Sequence, residues 1–498
     1  MTEKERASWS SLARLNEELA QSGEEESDRY LVDWTDEHDQ ENPRNWSKFK
    51  KCSVAGLVSF MTFSIYIGSA IYVPAISSVE EKFRVSQDVS VLGLSLFVLA
   101  YGMGPMLLAP LQESPWLGRT PVYVGGLALF TLFQIPIMLA REEPRYIALV
   151  LCFRFMSAFV GSACLASGGA SLADLFGPKS FPIALGAWQL CSVCGAAAGP
   201  VIGGFAAQEK GWRWPFIELT ILGGISLVVM TLYLPETLES NILLRKAARL
   251  RQCTGDTRYQ SRAERETTGR FIPLKVAGHR IKYAFQLCGE PFVLYANVYS
   301  AVTYAVFYLF FASFPLVYEQ QVHHFNTGVG QLPYIGFLVT GVLSYIAYVV
   351  YQRRHIIPRL EDPSFRQEHR LELGIAAGIF IPVSLLIFGW TARPQVHWFW
   401  PIFGAALYTP GIYLVSQTLV LYTLAVYPSH ASSILAGQTF FRSVLASIFP
   451  LIGPYYYRAL GLGGGCSLLA GVSIILVALL WVMYKWGDSL RRRSNWAE

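Results

Sequence analysis

Charged residues are scarce in this sequence. Asp, Glu, Lys and Arg make up only 15% of the 498 residues, whereas 53% are hydrophobic, and a soluble globular chain carries about a quarter charged residues. The charges are also clustered, which leaves uncharged stretches of about 20 residues, each long enough to cross a bilayer as a helix. This scarcity excludes an ordinary soluble domain and predicts an all-α polytopic membrane protein.

Several functional signatures are missing as well. The sequence has no Gly-Lys-Ser or Gly-Lys-Thr phosphate-binding loop, which argues against ATP-driven pumping. The first 45 residues are polar and acid-rich, without the basic-then-apolar pattern of a signal peptide. The basic residues flank apolar runs, so the net charge of +5 does not indicate nucleic-acid binding. We therefore expect no enzymatic activity, no cofactor, no metal ion and no nucleic-acid partner.

Cysteine is present but without partners for chemistry. Cys191 and Cys194 have the spacing of a redox or metal-binding pair. They lie inside an apolar run with no neighbouring His or acid, where small buried core residues are the better interpretation.

Apolar runs of membrane-spanning length recur about twelve times along the chain. Six precede and six follow a basic segment at residues 235–290, which divides the chain into two halves. We predict the first six spans near residues 52–76, 89–111, 120–140, 145–172, 180–206 and 212–234. We predict the second six near residues 291–317, 329–351, 372–391, 398–425, 430–457 and 463–486.

Lys and Arg concentrate in the segments that lie inside if both termini are cytosolic, as expected for an even number of spans. The central segment begins with the pattern of a short amphipathic helix. This helix either tethers the halves, touches anionic lipid or is a solvated basic linker. The predicted organisation is a disordered cytosolic tail (1–47), a six-helix bundle (48–234), a cytosolic central loop (235–290), a second six-helix bundle (291–486) and a cytosolic tail (487–498).

Small residues recur in the fifth apolar run at Gly195, Gly199 and Gly203, with Pro200 and Gly204 beside them. Their four-residue spacing makes one smooth helix face that another helix can approach closely, and the proline adds a bend. The eleventh run carries a matching Gly-Pro pair at residues 453–454. Interrupted helices in corresponding positions of two halves point to a binding site between them, although an ordinary tight helix contact explains one such face equally well.

Further motifs recur along the chain: residues 42–46 before the first span, residues 92–97 with 118–120, Arg154, residues 165–174, the Gly-Pro-Gly-Gly stretch, residues 235–239 and residues 441–450. Taken together, these motifs resemble those of the major facilitator superfamily. The strongest likeness is to the fungal drug:proton antiporter family with twelve spans, which includes the yeast multidrug- and fluconazole-resistance exporters. The chain lacks the acids that many relatives carry near Ala312 and Ser313 and at Thr439.

This resemblance implies two pseudo-symmetric six-helix bundles that work by alternating access. It assigns Gly195, Gly199, Pro200, Gly203 and Gly204 to the motif associated with antiporters.

The same resemblance assigns charged groups to coupling and gating. Because a lone Arg in hydrocarbon costs about 2.5–3.5 kcal/mol, Arg154 and Arg442 must face the bundle interior or a wet cavity. Arg154 is expected either to couple protons or to tie spans together through carbonyl groups. Arg442 is expected to take part in coupling or to contact substrate. Glu113, Arg119 and Asp174 are expected to form a charge cluster that latches the inner gate, unless they are plain loop charges.

Polar-tipped aromatic and amide side chains within the spans are the candidates for lining a substrate cavity, although helix packing explains many such residues equally well. The candidates are Tyr66, Trp188, Gln189, Tyr304, Tyr308, Tyr413, Gln417 and Gln438.

We predict a proton-coupled antiporter that exports small hydrophobic or amphiphilic compounds such as drugs, xenobiotics and toxins. The proton gradient supplies its energy, and its partners are a small-molecule substrate, protons and the lipid bilayer. We expect a monomer in the plasma membrane with both termini cytosolic. The alternatives are a dedicated exporter of a fungal secondary metabolite or mycotoxin, a small-solute importer of the same superfamily, and a channel or non-transporting sensor.

Overall fold

The computed structural model describes residues 30–266, 285–322, 324–363, 365–427 and 431–491. Within them, eleven continuous helical stretches are long and apolar enough to cross a membrane. The first six are Lys48–Phe83, Gln87–Gln112, Thr120–Met138, Pro144–Leu175, Phe181–Lys210 and Trp214–Tyr233. The others are Pro291–Gln320, Thr327–Arg359, Gln367–Thr391, Phe399–Val426 and Ser433–Ser489.

The last stretch is two spans rather than one. Helix Ala431–Arg491 is interrupted at Gly461, whose φ of 68° and ψ of 164° are not helical. A positive φ is readily adopted only by glycine, because the Cβ of any other residue clashes with the backbone. The chain therefore turns back at Gly461, and the described residues contain the twelve predicted spans in two sets of six. Their ends agree with the predicted ends to within several residues in most cases.

Local sequence signals explain where the spans begin and end. The Ser47 hydroxyl accepts a hydrogen bond from the backbone N–H of Lys50 and caps the first span. Proline stands in the first turn of the third, fifth, sixth and seventh spans, where its missing N–H costs nothing. Gly211, with φ of 85°, ends the fifth span.

Apolar side chains cover the outer surface of the bundle. Leu232, Leu343 and Ile475 are among many large hydrophobic residues with more than half of their surface exposed. A soluble protein would bury such residues, but in a membrane they contact lipid. Inside, the second span packs against the eleventh and the fifth against the eighth, so the two halves meet along these pairs.

A small layer on the predicted cytosolic side joins the segment before the first span to the central loop. Strand Leu31–Val32 pairs in parallel with strand Gln260–Ser261, and the loop contributes helices Glu239–Thr254 and Arg262–Glu266. Lys246 on the long loop helix forms a 2.8 Å ion pair with Asp39. Its hydrogen bond to that carboxylate holds the pKa of Asp39 well below the ordinary value. Residues 30–47, predicted as part of a disordered tail, thus have a defined place, while residues 1–29 lie outside the described part.

Candidate functional site: a cavity between the two halves

The halves contact each other at one end of the bundle, which is the outer end in the predicted topology. Gln208 at the end of the fifth span accepts a 2.9 Å hydrogen bond from the backbone N–H of Gly328 at the start of the eighth. Gly204 packs against the Gln331 side chain. At the same end of the bundle, the hydroxyl of Tyr455 in the eleventh span lies 2.8 Å from the carboxylate of Asp88 in the second span. These partners belong to opposite halves, so the two halves are joined at this end of the bundle.

The halves also contact each other towards the other end, which is the inner end in the predicted topology. The hydroxyl of Tyr348 donates to the carbonyl of Pro182 at 3.2 Å, and that of Tyr413 donates to the carbonyl of Gly186 at 2.8 Å. Lys179 and Glu361 form an exposed ion pair at 2.6 Å nearer that end. The structure therefore has contacts between the halves both above and below its centre.

Between these two sets of contacts lies a narrow cavity, with room for only a few water molecules in this arrangement of the halves. Both halves contribute to what we call the central cavity, which is lined by Tyr66, Gln189, Ser192, Val193, Ala196, Tyr304, Phe307, Ile412, Tyr413, Ser416 and Arg442. Five of the eleven are predicted site residues, namely Tyr66, Gln189, Tyr304, Tyr413 and Arg442.

Of the eleven described residues that line the central cavity, Arg442 alone carries a charge. It donates a 2.8 Å hydrogen bond to the hydroxyl of Tyr66, in the opposite half. Its guanidinium also lies 5.0 Å from the centre of the Tyr304 ring, within the range of a cation–π interaction. Its Nε atom is buried and has no hydrogen-bond partner among the described residues. A ligand with an acceptor oxygen or nitrogen would satisfy such a donor.

A chain of tyrosine hydroxyls lies beside this arginine. Tyr101 on the second span is 2.7 Å from Tyr304 and 3.0 Å from Tyr308, hydroxyl to hydroxyl. Tyr308 in turn donates to Ser69 of the first span at 3.0 Å. These bonds join the two halves in the middle of the membrane. Tyr308, a predicted site residue, is fully buried and acts behind the cavity wall rather than in it.

Amides bridge the halves on the other wall. Gln189 donates to the Ser416 hydroxyl at 2.9 Å and accepts from Gln417 at 3.0 Å. Gln417 is fully buried and so supports Gln189 from behind. The sequence singled out both glutamines but missed Ser416 and Tyr101, whose small or fully buried side chains resemble those of ordinary packing residues.

Besides Tyr308 and Gln417, two further predicted site residues do not line the central cavity. The Trp188 indole donates to Thr62 at 2.8 Å and packs against Gly168, all within the N-terminal half. Gln438 donates to Ser300 at 2.8 Å, within the C-terminal half. Both side chains use their polar groups to hold spans of one bundle together.

Arg154 is fully buried inside the N-terminal half. It donates from Nε to the Gly93 carbonyl at 2.6 Å and from Nη2 to the Gly68 carbonyl at 3.1 Å. The rings of Tyr72 and Phe97 lie 4.7 Å from its guanidinium carbon. This geometry joins the first, second and fourth spans, and it matches the carbonyl-tie alternative. Arg154 makes no ion pair with any carboxylate of the described residues.

We expect Arg154→Met to destabilise the protein rather than to uncouple it. Removing two charge-assisted hydrogen bonds and leaving both carbonyls unpaired costs about 3 kcal/mol or more. Membrane abundance and the unfolding temperature in detergent should therefore fall, while any dependence of the remaining transport on the pH gradient should match that of the wild type. Normal abundance together with gradient-independent flux would instead assign Arg154 to coupling.

Two members of the predicted charge cluster, Arg119 and Asp174, pair with each other. Arg119 forms a 2.8 Å ion pair with Asp174 and donates to Ser171 at 3.2 Å. Glu236, which the sequence did not place in the cluster, accepts the backbone N–H groups of Arg119 and Thr120 at 3.0 and 3.1 Å. These residues join the inner ends of the second, third, fourth and sixth spans, so the cluster lies within one half. Glu113 is half-buried at the end of the second span.

We expect Arg119→Gln and Asp174→Asn to reduce stability and transport more as single variants than together. Each single change leaves one charge of a largely buried pair without its partner, a loss of about 3–5 kcal/mol for fully buried pairs. Thermal unfolding and efflux of the two single variants and the double variant measure this coupling. Arg145→Gln is the matched control, because it breaks an ion pair that is exposed to water, lies within one half and contributes little. Equal effects of all variants would contradict a buried pair.

The glycine stretch has two different neighbours. A Cβ built on Gly195, Gly199 or Gly203 would lie 2.5–2.7 Å from backbone atoms of the first span. These three glycines therefore form the predicted smooth face, and the approaching helix belongs to the same half. Gly204 points the other way, and its Cβ would lie 2.8 Å from Gln331 of the opposite half.

Gln331 also leads to an acid that the sequence analysis left out. Its amide donates to the carboxylate of Glu319 at 2.5 Å, and Glu319 is half-buried in the π-helical turn that ends the seventh span. The predicted span ended at residue 317, which placed Glu319 in a loop. Proline at residue 315 and the π-helical turn continue the helix beyond that point.

Comparisons with known proteins agree with this architecture. The Major Facilitator Superfamily profile matches residues 58–450. Transporter mfs1 of Schizosaccharomyces pombe is 37% identical over 94% of this chain and 88% of its own length. Fluconazole resistance protein 1 of Saccharomyces cerevisiae is 34% identical over 95% of this chain and 86% of its own. The structure of the proton:xylose symporter XylE superposes with a TM-score of 0.60 at 13% identity, over 88% of this chain and 97% of XylE.

At that distance XylE shows the fold alone, whereas the profile and the two fungal relatives cover most of the chain. The chain is a multi-pass membrane transporter that belongs to the Major Facilitator Superfamily.

Proposed function

We propose that this protein exports small hydrophobic or amphiphilic organic compounds by alternating access, driven by inward flow of protons. The observation that supports this most is the central cavity, which both halves line and which lies between an outer and an inner set of contacts. A relative of similar length is named for fluconazole resistance, and the resemblance of the glycine stretch to the antiporter motif favours export over import. The protein acts in the plasma membrane as a monomer with both termini cytosolic, and it needs no cofactor.

The lining of the central cavity narrows the class of substrate. Tyr66, Tyr304, Phe307 and Tyr413 offer ring faces and edges for stacking. The one charge in the wall is the cationic Arg442, which disfavours cationic compounds and favours neutral ones that carry hydrogen-bond acceptors. We therefore expect aromatic or amphiphilic substrates with acceptor groups to be transported better than organic cations of the same size.

Export then proceeds by exchanging the two sets of contacts. Breaking the bonds of Tyr348 and Tyr413 to the fifth span opens the cavity to the cytosol, and breaking those around Gly204 opens it to the outside. Glu319 links protons to the outer set: a carboxylate binds the Gln331 amide more strongly than a neutral acid does. Protonation of Glu319 from outside weakens this bond while the substrate leaves.

Transport measurements in sealed vesicles test the proposal. Purified protein is reconstituted, and efflux of a fluorescent neutral azole is followed with and without an imposed pH gradient. We expect gradient-dependent flux that a proton ionophore abolishes, and no such flux in protein-free vesicles. Flux that ignores the ionophore contradicts proton coupling, net uptake along the proton flow indicates an importer, and flux that does not saturate indicates a channel.

A further inference from the structure

A second pocket lies at the cytosolic face, again between the halves. It is lined from the N-terminal half by Phe176 and Phe181, and from the C-terminal half by Leu421 and Leu424. Between these walls lies an open cavity of about 360 Å³. It shares no lining residue with the central cavity. We call it the cytosolic vestibule.

Two arginines line the vestibule from opposite halves. Arg44 belongs to the segment before the first span, and Arg370 stands at the start of the ninth. The lining contains no acid among the described residues. Arg370 is held in place by a 3.0 Å hydrogen bond from its Nε to Gln367, and the Arg44 backbone is held by Lys51, whose ammonium donates to its carbonyl at 2.6 Å.

The nearby carboxylates are engaged elsewhere. Asp174 lies close enough to Arg44 for their charges to interact, but it forms its ion pair with Arg119 at 2.8 Å. Glu361 is paired with Lys179 at 2.6 Å, and Glu368 accepts from the Tyr422 hydroxyl at 3.2 Å. Within the part of the chain that the structure describes, neither Arg44 nor Arg370 has a carboxylate within 4.0 Å. The vestibule thus has an apolar wall and an excess of positive charge.

The segment that supplies Arg44 is fixed to the cytosolic layer. Besides the Lys246–Asp39 ion pair, Arg249 reaches Glu41 at 3.1 Å, and the Asn45 side chain donates to the Asp39 carbonyl at 3.1 Å. Arg44 is therefore positioned from both sides of its own short helix, Pro43–Asn45. A guanidinium on a fixed backbone loses less freedom when it binds an anion than one on a loose chain.

We propose that the cytosolic vestibule binds an amphiphile with a single anionic group, whose carboxylate or phosphate lies between Arg44 and Arg370 and whose tail lies against Phe176, Phe181 and Leu424. Two guanidinium groups suit the oxygen geometry of either anion, and the apolar walls bury the tail. Since the arginines belong to opposite halves, the bound anion bridges them on the cytosolic side. The site does not depend on the transport cycle proposed above.

The probe is dodecanoate, added below its micelle concentration to the purified full-length protein in a neutral detergent. We expect saturable binding that raises the unfolding temperature, while dodecanol and dodecyltrimethylammonium leave it unchanged. Arg44→Gln and Arg370→Gln should each raise the dissociation constant about tenfold, because each removes one of two charge-assisted contacts. Arg354→Gln, an exposed charge at the inner end of the eighth span, is the matched control.

Equal dodecanoate binding by the wild type and the Arg44→Gln/Arg370→Gln double variant would overturn the proposal, as would equal binding of the cationic amphiphile. The variants without ligand must unfold at the wild-type temperature, which separates loss of the site from loss of the fold. A second arm uses nanodiscs of phosphatidylcholine with and without phosphatidylserine. If dodecanoate binds more weakly in nanodiscs with phosphatidylserine than in those without it, the lipid competes for the site, which is then assigned to a lipid headgroup. If the binding is the same in both, the site is assigned to a free amphiphile.

Discussion

Arg442→Gln should nearly abolish export while leaving the protein folded. The change removes the charged hydrogen bond to Tyr66 across the halves, which contributes about 1.5–3 kcal/mol. It also removes the cation beside Tyr304 and the donor that we propose for substrate binding in the central cavity. We expect a fall in the transport rate of about ten- to a hundredfold, since 1.4 kcal/mol corresponds to a factor of ten. Efflux from vesicles, normalised to their protein content, measures this fall in rate.

Tyr66→Phe tests the Arg442–Tyr66 hydrogen bond separately from the charge of Arg442. This variant keeps the ring and removes only the hydroxyl that Arg442 contacts, so its effect should be smaller. The Tyr66→Phe/Arg442→Gln double variant should transport no worse than Arg442→Gln alone, because both changes break one interaction. Arg393→Gln, an exposed residue on the loop after the ninth span, is the control for the loss of an arginine. Wild-type efflux by Arg442→Gln at normal abundance would contradict the assignment.

The twelve spans were predictable because hydrocarbon permits only helices that satisfy their own backbone groups. Apolar length alone therefore locates them, and the spans from Thr120–Met138 to Trp214–Tyr233 end within about four residues of the predicted bounds. The helix Glu239–Thr254 was also visible in its amphipathic pattern. What this pattern did not show was its partner: Asp39 and Glu41 lie some 200 residues away in sequence and look like ordinary charges of a polar tail.

The site was less predictable than the fold. Residue type indicated which side chains can line a cavity, but not the direction in which each one points. Trp188 and Tyr413 are both polar-tipped aromatic residues in predicted spans, yet one binds Thr62 inside its own half and the other lines the central cavity. Direction depends on helix rotation, which is set by packing between spans distant in sequence. Glu319 was missed for a different reason, since a π-helical turn extends its span beyond the apolar run.

Two adjacent glycines also differ in the direction that a side chain would take, and their substitution should give large and different effects. Gly203 and Gly204 are neighbours in one motif, but a Cβ on Gly203 would lie 2.5 Å from the Ile71 carbonyl oxygen, whereas one on Gly204 would meet the Gln331 side chain. A backbone atom cannot move aside without shifting its helix, so Gly203→Leu should separate the first and fifth spans and prevent stable folding. Overpacking of this kind typically costs about 1–3 kcal/mol, and more where backbone is in the way.

Gly204→Leu should leave both bundles folded and instead hold the outer contact apart. We expect a monodisperse protein with a near-normal unfolding temperature and little export. When Gln331→Cys is added, its thiol should react faster with a membrane-impermeant reagent in the Gly204→Leu protein than in the protein that keeps Gly204. Gly224→Leu is the matched control for both variants, because nothing lies within 4 Å of a Cβ at that position in the sixth span. If Gly204→Leu exported normally, Gly204 would not belong to a contact that closes in each cycle. If Gly203→Leu folded as well as Gly224→Leu, the close approach of the first span would not require glycine.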